Sequence, residues 1–266
     1  IVLRTGSVLG VLGGSVVVLA PAAGAEHAFT PDHLVTSTDD SGPDTLRAAL
    51  DAADEGDTIG FDLGDGATIE ITTELRVPGG VDVHGPGRDD LTIDNVGTGR
   101  VFYLYGAAPA TTTISGLTVT GGSALDTDPD VILTNGHGGG VYVPAGSSID
   151  LTLSGVAIEG NVAAPESSGG GVFFGGDALV VRDSTISGNT AVAGGGIAAR
   201  GDDGDRIGSV SILGTTIDGN AATMSGPKYG GGGAMIEGVA GDVVIDGVLV
   251  RGNAAVASKY GGIGIA

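Results

Sequence analysis

Residues 178–196, ALVVRDSTISGNTAVAGGG, contain the pattern that decides the fold. Leu179 and Val181 stand two residues apart, as strand residues on one face do, and Ile186 lies in a second short segment. Asp183 separates these segments and Gly188 ends the second, and both residue types tolerate a left-handed corner of the backbone. The stretch therefore predicts short β-strands joined by tight corners and followed by a run of three glycines.

The same pattern recurs along the chain, with an asparagine directly after a glycine in each copy. Successive asparagines are 28, 31 and 33 residues apart, and the residue three positions before each one is Ile or Val. The copies are marked by Asn161, Asn189, Asn220 and Asn253, and a fifth copy has Gly122 in the place of Asn. A repeat of this length predicts one structural unit that stacks on its neighbours.

Composition restricts the kind of core and the kind of partner. The chain has 266 residues with 53 glycines, no tryptophan and 4% aromatic residues, so large side chains cannot fill a thick interior. A hydrophobic content of 41% is enough for a thin core of Val, Ile, Leu and Ala. The net charge of −21 disfavours binding to nucleic acid or to anionic membranes. It favours a soluble surface, or one that binds divalent cations.

The N-terminal segment has the features of a secretory signal. Arg4 precedes an apolar run over residues 8–20, and Ala23, Gly24 and Ala25 follow it. A charged start, a short apolar middle and a small-residue end predict a signal peptide over residues 1–25, with no transmembrane segment after its removal. The chain has no cysteine, so stacking rather than disulfides must stabilise it. We therefore expect a secreted or cell-surface protein.

Residues 26–56 are predicted to form an N-terminal cap with a helix over residues 44–55. Asp44 would be its N-cap, Leu46 and Leu50 would lie on its apolar face, and Gly56 would end it. A helix in this place can cover the unpaired strand edges at the open end of a stack. Strands are predicted next over residues 58–63, 68–72, 81–83, 91–93, 101–105 and 111–120.

Each repeat has room for three short strands and their turns, with no helix between them. The predicted fold is therefore all-β, a right-handed parallel β-helix over residues 57–266 with a short N-terminal capping helix. Residues after the glycine runs should alternate between the core and the outside. The predicted inward residues are Val141, Val143, Val172, Phe174, Ile197, Ala199, Ala234 and Ile236. The predicted outward residues are Tyr142, Phe173, Ala198 and Met235.

These features resemble the right-handed parallel β-helix proteins of the pectin-lyase-like family, and more narrowly bacterial surface proteins with polymorphic-outer-membrane-protein-type repeats. Such repeats carry a Gly-Gly-Ala-Ile-like segment and a Phe-x-x-Asn segment. Gly195-Gly-Ile197 is similar to the first and Ile186-x-x-Asn189 to the second, with Ile or Val replacing Phe. The segment DDSGPDTLR at residues 39–47 is similar to the capping region of such secreted proteins. The resemblance covers residues 34–266.

The four asparagines are predicted to have a structural role. Asn tolerates the left-handed conformation of a tight corner, and its side-chain amide can hydrogen-bond to an amide one strand spacing away. The stacked coils would then carry a ladder of Asn161, Asn189, Asn220 and Asn253.

No catalytic constellation is found in the sequence. Gly136-His137-Gly138 is similar to a segment of pectin-hydrolysing polygalacturonases, but their Asn-Thr-Asp, paired-Asp and Arg-x-Lys segments are missing. His137 is therefore interpreted as a loop residue at the head of a glycine run. The charges on the outward columns have mixed signs, as on a solvated sheet face. Asp218 and Arg251 are placed to pair across one coil step, which contributes little to stability.

Two acidic loops are candidates for Ca²⁺, and the alternative for both is a solvated turn. Asp126, Asp128 and Asp130 have the one-three-five spacing of a calcium loop, but the Gly and the closing Glu of an EF-hand are missing. The second loop contains Asp202, Asp203 and Asp205.

The two lysines of the chain stand in the same local sequence, Lys-Tyr-Gly-Gly. Stacked coils would place Lys228 over Lys259 and Tyr229 over Tyr260. A cation beside an aromatic ring is suited to a sugar or an acidic glycan. The alternative is duplication of the repeat without any ligand.

Three classes of function remain. The first is a secreted or cell-surface β-helix with a structural or adhesive role and a glycan as its candidate partner, favoured by the regular repeats. The second is a polysaccharide lyase or glycoside hydrolase for acidic, pectin-like polysaccharide, favoured only by analogy of fold. The third is a Ca²⁺-dependent carbohydrate-binding module. The last residues, 260–266, begin a new coil, so we expect the natural protein to continue.

Overall fold

The computed structural model describes residues 11–12, 15–16, 30–106, 109–124, 136–201, 206–223, 231–256 and 261–266. It divides into two compact units, Ile1–Thr30 and Pro31–Ala266. In the first unit, strand β1 (Val11–Leu12) pairs antiparallel with strand β2 (Ser15–Val16).

The second unit consists of parallel strands that stack in four sheets. The strands of the first sheet, from the N-terminal end, are β3 (His33–Val35), β4 (Thr58–Phe61), β7 (Asp82–His84), β10 (Ala110–Ser115), β13 (Ile149–Ser154), β16 (Ala178–Arg182), β20 (Ser209–Leu213) and β24 (Val243–Asp246). The strands of the second sheet are β5 (Ala67–Ile71), β8 (Leu91–Asn95), β11 (Thr118–Thr120), β14 (Ala157–Glu159), β17 (Thr185–Ser187), β21 (Thr216–Asp218) and β25 (Leu249–Arg251).

The third sheet completes each coil, and a short fourth sheet is present in three of them. The strands of the third sheet are β6 (Leu75–Pro78), β9 (Phe102–Tyr105), β12 (Val141–Val143), β15 (Val172–Phe174), β19 (Ile197–Arg200), β23 (Ala234–Glu237) and β27 (Ile263–Ile265). The short fourth sheet contains β18 (Thr190–Ala191), β22 (Ala221–Ala222) and β26 (Ala254–Ala255). The chain runs from the first sheet to the second and the third and then returns to the first, one coil further on. This is a parallel β-helix, as the repeat predicts.

Apart from shifts of one or two residues at the strand ends, the predicted strands differ from the observed ones in two places. The predicted strand over residues 111–120 is two strands, because Gly116 has a φ of 60° and turns the chain from the first sheet into the second. Strand β6 was not predicted from the sequence. It contains Arg76 and ends in Pro78, which are unusual residues for a strand, and it pairs only with β9 in its sheet.

The corners between the first and second sheets follow the predicted column of Gly and Asp residues. Gly155, Asp183, Gly214 and Gly247 have φ values of 61°, 53°, 53° and 63°. At the next corner, Gly188 has a φ of 63°. The expectation that the following asparagines adopt the left-handed conformation is wrong, because no ladder asparagine has a positive φ. The glycine makes the turn, and this leaves the asparagine side chain directed into the stack.

The core lies between the three main sheets. All eight predicted inward residues have an exposure of 0%. The predicted outward residues Tyr142, Phe173, Ala198 and Met235 are also buried, and they form a second apolar cluster with Ala193. The third sheet is therefore covered on both faces along much of its length.

The glycine runs explain how this second cluster is covered. Gly194 has a φ of 58°, and a Cβ atom there would lie 2.9 Å from the Cβ of Ala198, so this glycine crosses directly over an outward residue. A Cβ on Gly196, the last glycine of the run, would lie 3.0 Å from the side-chain amide carbon of Asn220. One glycine thus allows the turn over the sheet and another leaves room for the asparagine of the next coil.

The N-terminal cap contains the helix α1 (Leu46–Ala52), which is shorter than predicted. Its N-cap is Thr45, whose Oγ1 accepts a hydrogen bond from the Ala48 N–H at 3.2 Å. The prediction of Asp44 as N-cap is wrong, since Asp44 has a φ of 60° and forms the turn before the helix. Leu46 and Leu50 are buried in the core cluster, as the apolar face predicts. Within the described residues, no helix is long and apolar enough to cross a membrane.

An ion pair attaches this cap to the first coil. The Arg47 guanidinium donates to Asp40 Oδ1 at 2.6 Å and to the carbonyls of Thr73 and Glu74, both at 2.9 Å. Asp40 Oδ2 accepts from the N–H and the hydroxyl of Thr72 at 3.1 and 2.7 Å. Asp40 and Arg47 belong to the segment that resembles a capping region, and these contacts give that segment its physical role.

Candidate functional site

The outer surface of the third sheet carries a column of large side chains near its N-terminal end. Arg76 on β6 is in register with Tyr103 on β9, which is in register with Tyr142 on β12. Phe173 on β15 continues the column, and Tyr105 lies two residues after Tyr103 on the same face. We call Arg76, Tyr103, Tyr105, Tyr142 and Phe173 the aromatic face. Because parallel strands stack about 4.8 Å apart, these side chains contact one another from coil to coil.

The first part of the aromatic face is open to solvent. Tyr105 is 39% exposed, Arg76 is exposed, and Tyr103 is half-buried. The Cζ atom of Arg76 lies 5.0 Å from the ring centroid of Tyr105 and 5.3 Å from that of Tyr103. The two tyrosine rings are 6.3 Å apart. The guanidinium is thus held against two rings by cation–π contacts.

The donors of Arg76 are available to a ligand. Among the described residues, no carboxylate pairs with Arg76 and no hydrogen bond engages its guanidinium. The other two arginines of this region differ in this respect. Arg47 is engaged with Asp40, and Arg100 forms an ion pair with Glu74 at 3.0 Å. In a chain with a net charge of −21, three of the 11 basic residues therefore lie close together here.

The second part of the aromatic face is covered. The Arg100 side chain is only 4% exposed, and its Cζ lies 4.6 Å from the ring centroid of Tyr142. The Arg100 Nε donates to the carbonyl of His137 at 2.7 Å. The His137 ring stacks on Phe173 with centroids 4.4 Å apart. Arg100 and His137 thus hold the buried rings of Tyr142 and Phe173 in place, and Tyr103 in the open part packs against Tyr142.

His137 has a structural place in the loop, as the missing polygalacturonase segments led us to expect. It is 9% exposed, and its Nδ1 accepts a hydrogen bond from the Ser168 N–H at 2.8 Å. That bond, together with the stacking on Phe173, holds one coil's loop on the next. Burial against Phe173 separates the His137 ring from any open cleft.

The chemistry of the open part is suited to sugars with acidic groups. Tyrosine rings can stack on the apolar C–H face of a sugar ring, and a planar guanidinium can hold a carboxylate with two parallel hydrogen bonds. Sequence reasoning missed this site, although Tyr103 and Tyr105 alternate within a predicted strand. The signal that could have found it is the concentration of Tyr103, Tyr105 and Tyr142 on one face of the third sheet, out of five tyrosines in the chain.

The ladder asparagines lie in one buried column beside the second sheet. Asn161, Asn189 and Asn220 are each 0% exposed. The Nδ2 of each asparagine donates to Oδ1 of the next, at 3.1, 3.0 and 2.9 Å along the series to Asn253. The Asn161 Oδ1 accepts from the Gly122 N–H, so the column begins at the copy that lacks Asn. These asparagines have all their contacts inside the stack and are not a ligand site.

The other site residues predicted from the sequence lie outside the described residues. They are Lys228, Tyr229, Lys259, Tyr260, Asp126, Asp128, Asp130, Asp202, Asp203 and Asp205. Glycan binding by the Lys-Tyr pairs and Ca²⁺ binding by the acidic loops therefore stay predictions. Among the residues that the structure describes, no group of three His, Asp or Glu side chains is arranged to hold a metal ion. The predicted pair of Arg251 and Asp218 is present, with Nε and Oδ2 2.9 Å apart.

The comparisons with known proteins give no relative for this chain. No protein-family model, no curated protein sequence and no solved structure matches it. The assignment of a parallel β-helix is therefore based on the strand pairing, and the identification of the aromatic face is based on the contacts between its side chains.

Proposed function

We propose that this chain is a secreted or cell-surface β-helical protein with a structural or adhesive role, and that its aromatic face binds an acidic glycan. The observation that carries the proposal is the exposed guanidinium of Arg76, held over the rings of Tyr103 and Tyr105 without a carboxylate partner in the described residues. The narrower assignment to the pectin-lyase-like family, with polymorphic-outer-membrane-protein-type repeats, is part of the same proposal and is supported by the repeat motifs.

The architecture supports an adhesive role because it presents the site on a stiff support. Stacked coils give one continuous core, and each strand of the third sheet is paired with those of neighbouring coils. Tyr103 and Tyr105 are on a strand, and their neighbours Phe102 and Leu104 have an exposure of 0%. The rings are therefore positioned before a ligand arrives, which lowers the entropy cost of binding.

The charge of the protein explains why Arg76 would decide the binding of an acidic glycan. A surface with a net charge of −21 repels polyanions at long range, so an acidic polymer can bind only where cations are concentrated. Arg76 marks such a place, because Arg47 and Arg100 neutralise the nearby carboxylates of Asp40 and Glu74 and leave the Arg76 charge without a partner among the described residues. Arg76 supplies the attraction and the tyrosines supply stacking, which is less sensitive to salt.

Binding to polygalacturonate and alginate, measured by isothermal titration calorimetry, tests this proposal, with neutral dextran as the comparison polymer. We expect Arg76→Gln to weaken binding to the acidic polymers about tenfold, because it removes a charged, bidentate donor. Tyr105→Ala should weaken binding by about the same factor through loss of stacking. Arg206→Gln is the matched control, since Arg206 is also exposed and its removal changes the net charge equally.

The same assay separates the two candidate sites. The double variant Tyr229→Ala with Tyr260→Ala tests the Lys-Tyr pairs, and we expect it to bind like the wild type if the aromatic face alone holds the glycan. Equal binding by the wild type and Arg76→Gln, or equal losses for Arg76→Gln and Arg206→Gln, would contradict the proposal.

A further inference from the structure

A polar cluster lies on the outer face of the first sheet, whereas the aromatic face lies on the third. Asp82 and His84 stand two residues apart on β7, and Ser115 on β10 is directly in register with His84. The Ser115 Oγ lies 2.9 Å from His84 Nδ1. On the other side of the imidazole, Nε2 lies 3.9 Å from Asp82 Oδ2. A hydroxyl, an imidazole and a carboxylate are thus arranged in sequence.

We propose that Ser115 and His84 form a nucleophilic site that hydrolyses small carboxylic esters, with Asp82 as the positioning residue. The arrangement meets the requirement for an activated serine, which is a base within hydrogen-bond reach and a third group that orients the base. The distance from Ser115 to His84 is already that of a hydrogen bond. The longer contact with Asp82 is of the kind that shortens when the imidazole gains a proton.

The three side chains are held in place by the sheet itself. Val83 and Ile114, the neighbours of His84 and Ser115, have an exposure of 0% and anchor both strands in the core. The Ser115 carbonyl accepts a hydrogen bond from the Gly85 N–H at 2.8 Å. Asp82 Oδ1 accepts one from the Thr113 N–H at 2.6 Å, which fixes the carboxylate while Oδ2 faces the imidazole. Groups on paired strands of a stacked sheet are more precisely placed than groups on loops.

The site is partly exposed, and two arginines lie further along the stack. His84 and Ser115 are half-buried, and the residue in register with His84 on the preceding coil is Gly60, which has no side chain. Arg182 is exposed and lies in the same column as Ser115, two strand spacings away. Arg88 lies at the adjoining corner, where its Nη1 donates to the Asp183 carbonyl at 3.1 Å. Arg182 is therefore about 9.6 Å away along the stack and can act on a developing oxyanion only through long-range attraction.

The reaction follows from these positions. The Ser115 Oγ attacks the ester carbonyl carbon as its proton passes to His84 Nδ1, and the carbonyl π electrons move to the oxygen to give a tetrahedral oxyanion. Collapse re-forms the carbonyl and breaks the bond to the alkoxy oxygen, which leaves with the proton from His84. Water then attacks the acyl-serine, gives a proton to His84, and releases the carboxylic acid as the proton returns to Ser115. Asp82 stabilises the imidazolium in both halves.

The shape of the site indicates the class of substrate. It lies on the outer face of the first sheet among polar side chains such as Asp82, Thr113 and Ser154, which offer little apolar surface to a long acyl chain. Gly60, in register with His84, adds no side chain of its own, so the site favours a short acyl group such as acetyl, with the alcohol part extending along the sheet. The substrate class is therefore an O-acetylated alcohol, including an O-acetylated polymer.

The experiment uses the full chain with p-nitrophenyl acetate as substrate and a fluorophosphonate as serine-reactive probe. We expect release of p-nitrophenol, and a probe adduct that peptide mass spectrometry locates at Ser115. Ser115→Ala should abolish the adduct and lower the rate at least 100-fold, and His84→Gln should do the same. Asp82→Asn should lower the rate less and shift the rising limb of the pH–rate profile to lower pH, which a purely structural role would not do.

Ser154→Ala is the matched control. Ser154 is the next residue in the same column, but its register partners are Ser115 and Arg182, so it has no imidazole beside it. It should keep the wild-type rate and adduct. Circular dichroism and melting of each variant show whether the β-helix is intact. A folded Ser115→Ala variant with the wild-type rate would overturn the proposal, as would an adduct that forms at Ser154 or survives His84→Gln.

Discussion

Asn189 shows how a single side chain can join three coils. Its Oδ1 accepts from the backbone N–H and the Nδ2 of Asn161, at 2.9 and 3.1 Å. Its Nδ2 donates to the carbonyl of Ile158 and to Asn220 Oδ1, at 2.9 and 3.0 Å. Both donors and both acceptor positions of the amide are therefore used inside a fully buried site. A network in which every polar atom is paired stabilises the stack, and an incomplete one destabilises it.

We predict that Asn189→Ala lowers the free energy of unfolding by about 3 kcal/mol, because it leaves several buried donors and acceptors unpaired. For a chain of this size that corresponds to a fall in melting temperature of roughly 6–12 °C. Asn253→Ala is the control, since Asn253 is only half-buried and lies in the last described coil. Its cost should be smaller. Equal losses in thermal melts of the two variants would contradict the idea that burial gives the ladder its strength.

At the scale of the element, one ion pair attaches the helix α1 to the first coil. Arg47 joins the turn before the helix to the turn before β6, through Asp40 and the carbonyls of Thr73 and Glu74. Partial burial raises the pKa of Asp40, but the hydrogen bonds from Arg47 and Thr72 outweigh it, so the net pKa is below its ordinary value of 3.8. The ionised carboxylate is therefore the form that the cap stabilises.

This shift predicts a pH dependence of the cap. A carboxylate with a lowered pKa in the folded state binds fewer protons than in the unfolded state, so its contribution is present above the unfolded pKa of about 3.9 and is lost as the pH falls through the folded value. The difference in melting temperature between the wild type and Asp40→Asn should be largest at neutral pH and should shrink below about pH 4.

Two comparisons make this test specific to Asp40. The pKa of Asp57 is also lowered, by hydrogen bonds from the Asp54 N–H and from His33. Asp57 is present in both the wild type and Asp40→Asn, so its effect on stability cancels when their melting temperatures are subtracted. Asp39→Asn removes a neighbouring carboxylate that is exposed and has no contact with Arg47 among its described hydrogen bonds. The melting temperature of Asp39→Asn should differ from that of the wild type by a small amount that is nearly independent of pH. A constant difference for Asp40→Asn across this range would count against the ion pair.

For the whole molecule, the high negative charge makes cation binding a separate question from the fold. The calcium hypothesis for Asp126, Asp128 and Asp130 predicts that Ca²⁺ at tenfold its dissociation constant raises the free energy of unfolding by about 1.4 kcal/mol. The melting temperature should then rise by roughly 3–6 °C and fall again with a chelator. Replacing the three aspartates by asparagine should remove the effect.

Screening must be distinguished from binding in that experiment. Any salt reduces the self-repulsion of a chain with a net charge of −21, and so raises its stability without a site. Sodium chloride and Mg²⁺ at the same ionic strength are therefore the controls. A rise of the same size with these salts, or a rise that persists in the triple variant, would show screening alone.

The sequence determined the parallel β-helix because the information is local and repeated. Inward residues such as Val172 and Ile197 follow from period-two alternation, and the corners at Asp183 and Gly188 follow from backbone conformations that few residue types adopt. The apolar face of α1 also followed from local spacing. The N-cap residue of α1 did not, because Asp44 and Thr45 are both good N-caps and only the geometry of the turn selects Thr45.

The tertiary structure alone decided which outward residues are covered and which side chains meet. Tyr142 and Phe173 look like surface residues in the sequence, and they are buried because the glycine runs turn back over them. Arg76 meets Tyr103, and His84 meets Ser115, only because the intervening turns bring those residues into register, and His84 and Ser115 are 31 residues apart. The repeat length in the sequence varies, so it does not set the register of each strand. A shift of one residue in that register would send each of these side chains to the opposite face of the sheet.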